Sequence, residues 1–181
     1  MKAIRTLAVL LLLIIPVIAS AQDNKFLRPS KVITEIQNNE GESGIAVLSL
    51  PENDQEHYYL SVGRLGHGDE VIQVHIDPVS VLYIKLGDTL EEAQAKLEEI
   101  QAVGKKPVNT SAEVLGILAV GFPTEEAETV TVTHRRPILE HVLEFSVSRN
   151  GYIRATYIPR SNLGSVVSGV KFYRKIHPKE K

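Results

Sequence analysis

The stretch VLYIKLGDTLEEAQAKLEEIQAVG, residues 81–104, holds both kinds of element this chain uses and the border between them. In its first six residues Leu82, Ile84 and Leu86 alternate with Val81, Tyr83 and Lys85. Period two with one apolar face predicts a strand with one buried side. After Gly87-Asp88-Thr89 the period changes. Leu90, Ala93, Leu97 and Ile100 fall three to four apart, which predicts a helix over 89–103. Asp88 can cap its first turn, or Thr89 can form a capping box with Glu92. Glu91 and Glu92 near the start, and Lys105 and Lys106 past the end, suit the macrodipole, and Gly104 is a natural stop.

Working upstream, residues 71–77 alternate Ile72, Val74 and Ile76 with Gln73, His75 and Asp77, until Pro78 ends the strand. Residues 45–50 and 57–62 read as a hairpin joined through 52–56. Three glycines within residues 63–69 predict a turn. Residues 22–44 read as a polar leader and loop, with room for one short element at 31–37. Downstream, strands are expected at 113–120, 129–133, 139–147 and 152–158, the last two joined by the hairpin signal Asn150-Gly151. Residues 161–168 fit a short helix stopped by Gly169. Residues 170–176 fit a last strand, because Val170, Phe172 and Ile176 alternate with Lys171 and Tyr173; continuation of the helix is the alternative.

These elements predict a single α+β domain over 45–181. It has a largely antiparallel sheet of seven or eight strands, one long helix (89–103) on one face and room for a short C-terminal helix. A doubly wound α/β fold would need a crossover for every parallel pair, and only one clear helix is present.

The N-terminus reads as an export signal. Lys2 and Arg5 precede an apolar run over 7–18, and Ala19-Ser20-Ala21 provides small residues for cleavage. This three-part form predicts a secretory signal peptide cut after Ala21. The run is too short for a membrane anchor, which needs about 20 apolar residues. The expected product is a periplasmic or released bacterial protein with no transmembrane anchor after cleavage.

Of 181 residues, 43% are hydrophobic and 23% charged, ordinary values that argue against disorder and fibrous repeats. There is no Cys. That excludes disulfides, thiol nucleophiles, Cys-ligated zinc and iron–sulfur clusters. Beyond residue 21 the chain holds 18 Lys and Arg against 22 Asp and Glu, a net charge of −4. The charge is uneven: residues 33–63 carry six acids and no Lys or Arg, whereas 171–181 carry five cations and one acid. Such a tail can meet an anionic partner, or simply solvate the chain end. An acidic domain without Trp lacks the footprint of a nucleic-acid binder.

Candidate chemistry is sparse. His75 and Asp77 share the polar face of their strand, and His67 and Asp69 sit in the glycine-rich turn. Convergence of these four, or of His134 with either pair, would make a metal or acid–base site. Alone, each pair is incomplete, and reads more simply as exposed polar residues or a turn. His141, placed with Leu139, Leu143, Phe145 and Val147 on one strand face, reads as a core histidine with one hydrogen-bond partner. No Gly-x-Ser-x-Gly, phosphate-binding Gly-Lys-Ser/Thr or dinucleotide motif occurs. No residue is therefore assigned a catalytic, cofactor-binding or metal-binding role, and no cofactor is expected. The favoured reading is an exported, non-catalytic domain binding an unidentified protein or small molecule. The alternative is a hydrolase built on a His/Asp pair, with or without a metal.

Overall fold

Hairpin follows hairpin along this chain, because its alternating segments are short and separated by turn residues. A computed structural model describes residues 31–36, 45–52, 55–62, 66–67, 80–120, 122–123, 127–149 and 152–178. The long strands are β1 (Lys31–Ile36), β2 (Ile45–Glu52), β3 (Gln55–Val62), β5 (Ser80–Gly87), β6 (Ser111–Val120), β8 (Glu128–Arg135), β9 (Val142–Arg149) and β10 (Tyr152–Pro159). Two-residue strands β4 (Gly66–His67) and β7 (Phe122–Pro123) pair with β10 and β6. The order is β1-β2-β3-β5-β6-β8-β9-β10-β4, antiparallel throughout. Arg149 pairs with Tyr152, so residues 150–151 form the whole connection, as the Asn-Gly signal predicts. The strand expected at 71–77 lies outside the described residues.

Helix α1 (Leu90–Val103) follows β5, with Thr89 as its cap. The capping box is present: Glu92 N–H donates to Thr89 Oγ1, and Thr89 N–H donates back to Glu92 Oε2. Helix α2 (Arg160–Ile176) follows β10 without a break. Val47, Leu60, Leu82, Ile84, Val130, Val132, Leu143 and Phe145 form the inner face of the sheet, fully buried. Against them pack Leu90, Ala93, Leu97, Ile100 and Val103 of α1 and Leu163, Val166, Val167 and Val170 of α2. A smaller cluster of Leu48, Leu50, Tyr59 and Tyr83 occupies the opposite face of β2, β3 and β5.

The C-terminal segment corrects the expectation of a strand at 170–176. It is helix, and α2 is the longer of the two helices described. Leu163, Val166, Val167, Val170 and Tyr173 face the core at helical spacing, while Phe172 and Ile176, read as a strand face, are exposed. Gly169 is not a stop. A Cβ there would overlap the side chain of Thr34, so the missing side chain lets α2 lie directly on β1. Two basic residues of this segment also have partners within the fold. Lys171 Nζ donates to Glu98 at 2.9 Å, and Arg174 contacts Glu91 at 3.2 Å and Gln94 at 2.5 Å. The hydrogen bond from Lys171 is the main reason the Glu98 carboxyl sits below the usual carboxylate range. The two helices are therefore antiparallel.

Strand β9 starts at Val142 rather than at residue 139. Leu139 is 80% exposed, and Leu139, Glu140 and His141 belong to the connection between β8 and β9. Pro137 breaks the ladder, since it lacks an N–H to donate. Among the described residues no helix is long and apolar enough to cross a membrane.

Candidate functional site

Three chain connections meet at one end of the sheet. The first follows α1, where Gly104 lacks a side chain and the stem of Arg160 lies across it; a Cβ at Gly104 would stand 3.1 Å from Arg160 Cγ. This connection is tied to β8 by Asn109 N–H donating to His134 O at 2.7 Å and His134 N–H donating to Thr110 O at 2.9 Å. Asn109 takes a φ of 70°, a left-handed conformation that Asn tolerates. The second connection is the β8–β9 turn, where Glu140 N–H donates to Pro137 O. The third is the junction of β10 with α2, where Arg160 N–H donates to His141 O at 3.1 Å.

Between these connections lies an open pocket of about 480 Å³. It is lined by Gln101 and Lys105 from the end of α1, Leu139, Glu140 and His141 from the turn, and Arg160 and Ser161 from the start of α2. Two cations and an imidazole face one carboxylate. Pro159 gives α2 no side-chain cap, and its first turn holds no acidic residue. The positive end of the helix dipole thus adds to Arg160 instead of being offset. Arg160 occupies a position that an isolated helix would give to Asp or Glu, a local conflict of the kind binding sites hold.

His141 is linked to a buried neighbour. His134, 3% exposed, places Nδ1 at 2.7 Å from Lys106 O and Nε2 at 2.8 Å from His141 Nδ1. The tautomers follow from these contacts. A carbonyl can only accept, so His134 Nδ1 carries the proton. In the neutral pair, His134 Nε2 then accepts from His141 Nδ1–H, which leaves His141 Nε2 as the unprotonated nitrogen. Partial withdrawal from water, then Arg136, Arg160 and His134, hold His141 below the ordinary imidazole range. Protonating His141 turns Nε2 into a donor beside Lys105 and Arg160. The arrangement can hold an oxyanion and take up a proton with it.

Among the described residues, a His/Asp contact of the kind the alternative reading requires forms between other residues. His57 Nδ1 lies 2.5 Å from Asp88 Oδ1, with Lys85 Nζ at 3.3 Å. The hydrogen bond from His57, followed by Lys85, keeps the Asp88 carboxyl below its usual range. Asp88 also donates its N–H to Glu92. The cluster thus fixes the start of α1, and Asp88 itself is half exposed.

Of the histidines and aspartates weighed in the sequence, Asp69, His75 and Asp77 lie outside the described residues. His67 lies in β4, where its backbone pairs with Arg154. His134 and His141 are brought together, and His134 is oriented by a carbonyl rather than a carboxylate. His141 has the single imidazole partner a core histidine would have, but it lines a pocket. Their seven-residue spacing across a proline-containing turn was the available signal. Among the described residues no group of three or more His, Asp or Glu side chains is placed to hold a metal. Comparison with protein families, curated proteins and solved structures returned no match.

Proposed function

We propose that this chain is an exported, non-catalytic binding domain whose pocket takes a small oxyanion, a phosphate monoester or a carboxylate. The reading is carried by the meeting of Lys105, Arg160 and His141 in one pocket, each supplied by a different connection. The N-terminal pattern of a signal peptide supports the exported part. Lys105 and Arg160 supply charge, and Arg160 can grip two oxygens at once. His141 adds a third donor once protonated.

The test is titration of the protein from its producing cells, expected to begin at Gln22, with inorganic phosphate, glycerol 3-phosphate and acetate. Calorimetry should show saturable binding that strengthens as pH falls through the titration of His141. Arg160→Gln and Lys105→Gln should each weaken it by about tenfold, the loss expected for a hydrogen bond to a charged group. Unchanged binding in both variants, or no binding of any of the three anions, rejects the pocket.

A further inference from the structure

Above the pocket, the β8–β9 turn lifts two aliphatic side chains into solvent. Ile138 is 93% exposed and Leu139 80%. Ile138 also takes a φ of 58°. For a β-branched residue that left-handed conformation is a genuine outlier, one that Gly or Asn would adopt without strain. Solubility and backbone preference are independent of one another, and both argue against Ile at this apex. On the neighbouring connection Pro107 and Val108 are also exposed, Val108 by 41%. Around this apolar tip stand Lys105, Lys106, Arg136 and Arg160, while Arg135 is paired with Glu144 at 3.1 Å. Counting Glu140 and Glu144, the described residues around this tip include five cations against two carboxylates. The chain beyond residue 21 is acidic overall. The tip is therefore a locally cationic patch around two adjacent exposed aliphatic side chains, on a chain of net negative charge.

We infer that this end docks on an anionic lipid surface, with Ile138 and Leu139 entering the acyl boundary and the surrounding Lys and Arg side chains meeting headgroup phosphates. A stable protein interface buries on the order of 800 Å² per partner, far more apolar area than two aliphatic side chains offer. A bilayer asks for less: a small apolar insertion plus electrostatic attraction is enough for reversible binding. The local excess of cations around the tip sets the orientation, because these side chains are drawn to an anionic surface at the point where the aliphatic pair enters it. The inference rests on the pocket reading for Lys105 and Arg160 only, and adds the lipid headgroup as the source of the phosphate.

The experiment is co-sedimentation of the protein from its producing cells, the same material as for the anion titration, with phosphatidylcholine vesicles, with and without phosphatidylglycerol, at low and high salt. The protein should sediment with the anionic vesicles and be released by salt or by omission of phosphatidylglycerol. The double variant Ile138→Asn/Leu139→Ser should partition at least about tenfold less. Asn accepts the backbone conformation at 138, so the double variant should unfold at no lower a temperature than the wild type, and Ile138→Asn alone, at a residue outside the pocket lining, should bind inorganic phosphate as the wild type does. Wild-type protein that stays in the supernatant, or a double variant that sediments equally well, overturns the inference. So does a wild-type dimer without vesicles that the double variant abolishes, which would make a second copy the occupant. Phosphate binding without vesicle binding rejects the lipid surface and leaves the pocket standing. Vesicle binding without phosphate binding rejects the pocket and leaves the docking end, and vesicle binding unchanged by Arg160→Gln rejects the part of the inference that makes the pocket the headgroup site.

Discussion

His141 is where one proton reports on a whole end of the molecule. Arg136 in its own turn and Arg160 at the start of α2 set positive charge against it, Lys105 lines the same pocket, and among the described pocket residues Glu140 is the carboxylate that opposes them. Its folded affinity for protons therefore lies below the ordinary value of 6.5. Between the two values the unfolded chain binds more protons than the folded one, so stability rises with pH across that window. It is complete above 6.5 and is lost as pH falls through the window. Urea unfolding of wild type and His141→Asn across pH 5 to 8 should differ in this slope, with the variant flatter. Equal slopes would mean that His141 titrates as it does in the unfolded chain. A saturating oxyanion should reverse the effect, because it cancels the field of Arg160 and favours the protonated ring. None of this was legible from the sequence, which assigned His141 to a strand face. The hydrogen bond to His134 exists only because β9 starts three residues later than alternation alone implies.

At the level of the elements, α1 and most of the long described strands were readable because apolar residues at the right period mark the face each turns to the main core, although β2, β3 and β5 bury side chains on their other face too. In α2 period and burial conflict locally. Val170, Phe172 and Ile176 imitate a strand, and Gly164 and Gly169 weaken the helical pattern. The reason for Gly169 is tertiary, since it is the contact point of α2 with Thr34 of β1. Gly169→Ala should therefore destabilise the fold by about 1–3 kcal/mol, the usual cost of overpacking. In a Thr34→Gly background, which removes both the Oγ1 and the Cβ that a side chain at 169 would meet, the same substitution should cost little or stabilise by up to about 1 kcal/mol through helix propensity. A double-mutant cycle measured by denaturant unfolding checks this, and additive effects would show that α2 does not press on β1 at this point. The pocket escaped notice for a related reason. Its residues are far apart in sequence and carry no motif, and only the end-on meeting of three connections assembles them.

For the whole molecule, the charge pattern read from the sequence has a structural outcome. Acids of α1 and bases of α2 meet across the helix pair, so residues 171–176 are part of the fold rather than a solvated tail. Deleting residues 171–181 removes Tyr173 from the core and leaves Glu91 and Glu98 without their cations. The expected loss is on the order of 1–3 kcal/mol, most of it from packing, because exposed ion pairs contribute little. Thermal unfolding of the shortened chain checks this, and an unchanged midpoint would return the segment to the role of a free tail. The contact of α2 with β1 has a consequence for synthesis. The long strands pair in the order in which the chain is made, so successive hairpins can form as the polypeptide lengthens. The residue that meets Thr34 is made 135 positions later, among the final turns of the chain. An emerging polypeptide can therefore build its sheet progressively but cannot cover β1 until α2 has been made.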